Sequence, residues 1–408
     1  MNHVELSEIA AYVDERISSD AVSLEHYVTT DSLLQNKAGR EQAQNMPPNK
    51  VTLIKYQPGD VLVANIRPYL RKIWQADCSG GCSADVLAFR AHPNHSPDFL
   101  YAVLMQDAFF DHVMAGKKGA KMPRGDKKQI MRYLVPDVSA DKELQIGQMM
   151  ASISQKISLN QRLNDNLEAM AQALYDYWFV QFDFPDENGK PYKSSGGKMV
   201  WNEVLKREIP EGWEVGNSYN ICTLLNGLAC QKYPASEGGI PVIKIKEMHS
   251  GYGKDTDFVS PDVPEKYLIN NGDILFSWSA TLEVMLWCGG YGCLNQHIFK
   301  VTPTIESKVF VYYQLKQLIQ TFCRIAESRK TTMGHITTDH LQQTKFCIPN
   351  HRTLIAFETA VHSIIERFIM GQKEILSLSK QRDFLLPLLM NGQVQVKPQG
   401  VNYHLSDD

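Results

Sequence analysis

The chain has 408 residues, 43% hydrophobic and 21% charged, and a formal net charge of −3. That balance excludes a disordered polyelectrolyte and a protein that coats nucleic acid through a general basic excess, while the length allows two or three domains with cores of their own. Eight cysteines are too few in so long a chain for a disulfide scaffold. With no apolar run long enough to cross a membrane and no basic or apolar start in MNHVELSEIA, a cytoplasmic protein is expected.

In chain order, β-branched and aromatic runs at 60–64 and 86–89 read as strands broken by Gly, Pro and Asn turns, and 97–106 reads as a short helix. Two loops accompany them. The first, 65–71, carries Arg67, Tyr69 and Arg71. The second, 116–128, reads GKKGAKMPRGDKK, with Lys117, Lys118, Lys121, Arg124, Lys127 and Lys128 set against Asp126, a density of cations suited to phosphates.

From Ile146 the period changes. Alternating steps of four and three give Met150, Ile153, Ile157, Asn160, Asn164, Leu167, Ala171, Leu174 and Trp178, a coiled-coil seam on a long helix. Residues 181–208, with Asp186-Glu187-Asn188-Gly189 and Ser194-Ser195-Gly196-Gly197, read as an ordered but irregular connector.

The pattern then recurs. Strands are expected at 273–278 and 297–301 and a helix at 308–320, with loops holding Ser277, Ser279 and Thr281, and then Arg329, Lys330, Thr331, Thr332, His335 and Thr337. Hydroxyls, an imidazole and two cations suit phosphates and base edges. A second seam runs through Leu354, Phe357, Val361, Ile364, Phe368, Gly371, Ile375, Leu378, Arg382, Leu385 and Leu389.

Gly59-Asp60-Val61-Leu62 matches Gly272-Asp273-Ile274-Leu275, Trp74 matches Trp287, Asp126 matches Asp339 and Pro136 matches Pro349, all at one offset. The seams also match, and Asn160 is the counterpart of Gly371, so both weaken at one place. The chain therefore reads as a tandem duplication of an α/β (α+β) domain followed by a long helix. Two helices of this length, related as by a two-fold axis, are expected to pair antiparallel, although each could instead pack on its own domain. The matched strands and seams are scaffold. The loops, equal in place and different in content, are candidates for two different targets or for plain solvated surface.

Catalytic signatures are missing. Gly196-Gly197-Lys198 is followed by Met199 and so lacks the hydroxyl of a phosphate-binding loop, and no G-x-G-x-x-G, H-E-x-x-H or G-x-S-x-G occurs. The Asn/Asp-Pro-Pro-aromatic signature of amino-methyltransferases is absent too. Cys78/Cys82 and Cys288/Cys293 sit in matched Gly-rich turns with spacings unlike zinc sites, and read as buried or turn cysteines. Pro185-Asp186-Glu187 with Lys190 is too sparse for a nuclease centre. His340 is placed in a loop with His335, facing solvent or nucleic acid.

Ile209-Pro210-Glu211-Gly212-Trp213-Glu214-Val215, the paired Gly-Asp-hydrophobic strands, the proline before each helix, 174–179 running on to Gly197, and the close Arg382-Asp383-Phe384-Leu385-Leu386-Pro387 together resemble the specificity subunits of type I restriction-modification systems. Their Leu-Gly pair after the tryptophan motif is replaced here by Gly216-Asn217.

The resemblance implies two globular target-recognition domains, 1–140 and 209–350, separated by a long antiparallel two-helix coiled coil from 141–180 and 351–392, with the connector 181–208 and a tail 393–408. Each domain would read one half of a split double-stranded DNA site, and the helices would set the spacer and dock two modification (methyltransferase) subunits, joined by restriction subunits. The chain itself would be non-catalytic and would bind no cofactor or metal. S-adenosylmethionine, ATP and Mg would belong to the partners. A methyltransferase or nuclease and a protein scaffold without a DNA role are the alternatives.

Overall fold

A turn that only glycine makes easily starts the central strand of each copy. Gly59 and Gly272 adopt φ of 89° and 88°, a left-handed region open to glycine at little cost. The aspartate that follows each one closes the turn: Asp60 accepts from the Gln57 N–H at 2.9 Å, and Asp273 from the Asn270 N–H at 2.9 Å. The strands Val61–Ala64 and Ile274–Ser277 that leave these turns are buried at every position, as an apolar run covered on both faces requires.

The computed structural model describes all residues except 1, 120, 236–237, 254, 280, 329–335, 337 and 397–408, and falls into two units, 1–159 with 377–408, and 160–376. Both are built alike. In the first, a fully antiparallel sheet runs Ala10–Tyr12, Val86–Ala91, Val61–Ala64, Ile73–Gln75; in the second, Cys222–Asn226, Ile298–Pro303, Ile274–Ser277, Glu283–Leu286 follow in the same order.

A smaller sheet repeats as well. Gly80–Cys82 lies parallel to Tyr27–Val28 and antiparallel to Thr52–Tyr56, and Gly292–Leu294 stands in the same relation to Ile240–Ile243 and Leu268–Ile269. Only its edge strand differs, Arg16–Ser18 in the first unit and Phe258–Val259 in the second. Short pairs close each domain just before its long helix: His3–Glu5 with Leu134–Pro136, and Glu214–Gly216 with Phe346–Ile348.

The helix expected at 97–106 is present and ends two residues early, at Leu104. Ser96 caps Pro97–Leu104 by accepting from the Phe99 N–H, and a second helix, Asp107–Ala115, follows. Its counterpart runs unbroken as Lys308–Ser328. The stretch expected to be an irregular connector holds an antiparallel hairpin, Met199–Asn202 with Arg207–Pro210, and packs Phe182, Phe184 and Leu205 on the core of the second unit. Its short strands are flanked by turn residues that mask their alternation.

The long helices are Ala140–Tyr175 and His351–Met390. Every seam position named above is buried or half-buried. In the first unit Ile146 and Met150 share a core with Phe99, Leu386, Leu389 and Met390. In the second, Asn164 lies against Gly371 and the Trp178 ring packs on Phe357 at 5.4 Å, so steps forward on one helix are matched by equal steps back on the other. The segments paired within the second unit are therefore antiparallel. Arg382, the charged seam position, is buried with Asp383 as its counter-ion at 3.0 Å.

The two weak seam positions do not face each other. Asn160 donates to Glu374 at 2.9 Å. Gly371 instead accommodates Asn164, whose amide is buried with no hydrogen-bond partner among the described residues and would collide with any Cβ at position 371. Antiparallel pairing places the counterpart of Asn160 one turn along, opposite Asn164. Gly371→Leu should therefore destabilise the chain by about 1–3 kcal/mol through overpacking. The double variant Asn164→Ala/Gly371→Leu should recover that loss, since it removes an unpaired buried amide that costs about 1–3 kcal/mol. Urea unfolding of the two variants checks this, and equal destabilisation by both would refute it.

Candidate nucleic-acid interface

In the first unit the two loops singled out from sequence are joined by backbone hydrogen bonds. The Arg67 N–H donates to the Pro123 carbonyl at 2.8 Å, and Lys118 and Arg124 exchange two bonds at 2.8 and 2.9 Å. The Gly125 N–H donates to the Asn65 side chain at 3.1 Å. Arg67 and Arg71 flank the single turn Pro68–Leu70, both in left-handed backbone at φ 52° and 51°. Such conformations persist in residues other than glycine only where the surroundings over-determine them. Here the Asn36 and Lys37 N–H groups, each donating at 2.9 Å to the Leu70 and Arg71 carbonyls, supply that constraint.

The cations then separate by role. Arg71 is drawn to Asp107 at 3.3 Å, Arg124 to Asp85 at 3.1 Å, and Lys118 to Asp126. The Lys127 ammonium lies 5.8 Å from the centre of the Tyr12 ring. Arg67, Lys117, Lys121 and Lys128 are exposed without an acidic partner among the described residues, and Tyr69 is 52% exposed beside them. Asp126 is a structural anion. It caps Lys127–Ile130 by accepting from the Lys128 and Gln129 N–H groups at 2.9 and 3.1 Å. The Lys118 ammonium, with those N–H groups, holds its carboxyl down to about 2, so it stays ionised at neutral pH.

The second unit makes the same junction at the equivalent place. The carbonyl of Trp278, the first residue after the central strand, accepts from the Ile336 N–H at 2.9 Å, as the carbonyl of Asn65 accepts from Gly125 at 3.3 Å. The chemistry around it differs. Ser277 is buried, its hydroxyl donating to the Ser279 carbonyl at 3.3 Å, which removes it from the candidate contacts. Ser279 is half-buried and Thr281 exposed. Arg329, Lys330, Thr331, Thr332, His335 and Thr337 lie outside the described residues. His340 belongs to the helix Thr338–Gln343, half-buried with its ring 5.8 Å from Phe322, and not to an open loop.

Sequence reasoning missed Asn226, Gln296 and His297, which stand at the same sheet end. The Trp278 indole donates to Asn226 at 3.1 Å, and its ring lies 5.9 Å from His297. Isolated polar residues at strand ends carry no periodic signal; only the tryptophan in a loop hinted at them.

No group of His, Cys, Asp and Glu among the described residues is arranged to hold a metal. Burial pushes the Cys82 and Cys288 thiols up to about 12, which leaves them protonated and poor nucleophiles.

Fold and site together define a tandem protein, one scaffold used twice with a different pair of joined loops on each copy. Residues 210–377 match the family described as the type I restriction modification DNA specificity domain. The chain is 25% identical to the HindI specificity subunit of Haemophilus influenzae over 95% of its own length and 98% of the relative's. It is 24% identical to the MjaIX specificity subunit of Methanocaldococcus jannaschii over 74% and 69%. The crystal structure of a type I S subunit from M. genitalium superposes with a TM-score of 0.55 over 95% of this chain and 96% of that one, at 14% identity, and so shares the fold. Residues 210–377 therefore carry this domain, and the chain as a whole is similar in sequence and in fold to type I specificity subunits.

The loop junction of the first unit can be loosened by itself. Asn65→Ala removes one hydrogen bond, worth about 1 kcal/mol, and should raise local opening of 116–125 roughly fivefold. Faster trypsin cleavage at Lys117 and Lys121 with little change in melting temperature is the expected readout.

Proposed function

We propose that this chain is the sequence-reading, non-catalytic subunit of a type I restriction-modification complex, and that each of its two units reads one half of a bipartite, asymmetric DNA site. The observation that carries the reading is the repeated loop junction. Two copies of one sheet present joined loops at the same end, cationic in the first copy and mainly neutral among the described residues of the second. A shared scaffold with divergent loops is what recognition of two different sequences requires.

The paired long helices set the unread spacer and dock two modification subunits, which supply S-adenosylmethionine and methylate adenine on a flipped base. Restriction subunits supply ATP- and Mg-dependent translocation and cleavage. The complex acts in the cytoplasm, and no helix among the described residues is long and apolar enough to cross a membrane. In this reading the exposed cations Arg67, Lys117, Lys121 and Lys128 hold phosphates, while the joined loops face base edges. With a net charge of −3 on the chain, much of the phosphate neutralisation falls to the partners.

Sequencing the methylated positions in DNA exposed to this chain with its modification subunit tests the reading: a bipartite motif is expected, and methylation without one refutes it. Replacing Lys117 and Lys121 with Ala should leave that motif unchanged and reduce the slope of log affinity against log salt by roughly 1.8, at about 0.9 per phosphate contact. Lys118→Ala should change the slope less, because Asp126 already neutralises that ammonium. Inserting one heptad between Asn160 and Asn164 and one between Gly371 and Ile375 adds about 10 Å of helix. The spacer should then grow by about three base pairs at roughly 3.4 Å each. An unaltered spacer would remove the ruler role.

A further inference from the structure

The sheet end of the second unit holds a set of neutral hydrogen-bonding side chains whose orientation is set by one indole. Asn226 is the last residue of Cys222–Asn226, Trp278 follows Ile274–Ser277, and Gln296 and His297 precede Ile298–Pro303. Those three strands are adjacent, with Asn226 registered on Phe299 and Ser277 on Ile298. The four residues therefore share one end of one sheet, next to the loop that donates its Ile336 N–H to Trp278.

The Trp278 indole N–H donates to the Asn226 carboxamide oxygen at 3.1 Å. An amide whose oxygen is engaged in this way presents its NH2 outward as a fixed donor. Asn226 and His297 are exposed and Gln296 is half-buried, its amide nitrogen 3.5 Å from the His297 ring. The matched end of the first unit carries the Asp85–Arg124 ion pair and Arg67. Point charges suit phosphates, whereas short neutral amides held in place suit the donor and acceptor pattern of base edges.

We infer that Asn226, supported by Gln296 and His297, is a specificity-determining residue of the second half-site. Its NH2 donates to an acceptor on a major-groove edge, which is purine N7, guanine O6 or thymine O4, and so rejects the amino group that cytosine presents there. This rests on the DNA-recognition reading above.

The indole offers a purely structural alternative, that Asn226 exists only to satisfy the Trp278 N–H. Asn226→Asp separates the two, because a carboxylate still accepts from the indole but has no donor to offer a base. The chain with its modification subunit and S-adenosylmethionine is presented with a plasmid library, and methylated adenines are mapped for the wild type, Asn226→Asp, Gln296→Ala and His297→Ala.

The expected result is a change confined to one half-site. With Asn226→Asp, discrimination against cytosine at one position falls about tenfold, and the other half-site and the spacer stay as they were. Gln296→Ala or His297→Ala relaxes the same or an adjacent position. A motif unchanged in all three variants, or a change in the other half-site, overturns the assignment. If the wild type marks no bipartite site, the recognition reading itself falls, and this assignment with it.

Discussion

An apolar stripe some forty residues long cannot be covered by a domain of ordinary size, and that constraint governs the rest of this fold. Each long helix buries its seam partly on a sheet domain and partly on the other long helix. In the first unit the start of Ala140–Tyr175 and the end of His351–Met390 enter one core with Phe99 and Phe109. In the second, Ala171, Tyr175 and Trp178 enter another with Phe310, Phe357 and Val361. Covalent order thus ties together segments far apart in sequence, and residues 377–408 fall in the same unit as the amino-terminal domain. Burial of apolar area, which needs no directional chemistry, is enough to drive this.

Where that burial is interrupted, polar groups restrict the register. Asn160 bonds Glu374, Arg382 bonds Asp383, and the Lys37 ammonium, almost wholly buried, bonds Asp107 at 2.8 Å and Asp383 at 3.3 Å. Removing one member of such a group leaves a buried charge or dipole unpaired, which costs more than the pair contributes. Slippage by a turn would break the Asn160–Glu374 and Lys37–Asp383 contacts, whereas the Arg382–Asp383 pair lies within one helix and only neutralises the buried guanidinium.

The loops obey a different logic. Their backbones are pinned by a few hydrogen bonds at matched places, and their side chains are left free to differ. Arg67 and Arg71 sit in left-handed backbone because neighbouring N–H and carbonyl groups hold the turn. The same junction in the second unit holds a tryptophan, and with it an asparagine. Loop content can diverge in such an arrangement without disturbing the sheet beneath.

Much of this was legible from the residues alone. The Gly-Asp turns, the central strands, the two seams and the duplication are local or periodic features, and local backbone preference and burial period decide them. The sorting of the cations was not legible. Nothing in GKKGAKMPRGDKK distinguishes Lys118, paired with Asp126, from Lys117, which has no acidic partner among the described residues, because that difference depends on which carboxylate the folded loop brings near. Likewise Ser277 reads as an exposed hydroxyl until the strand buries it, and Asn226 carries no signal until the chain returns some fifty residues later with an indole. Hydrogen-bond partners distant in sequence are chosen by the tertiary fold, because their energies depend on ångström-scale geometry that composition and periodicity do not encode.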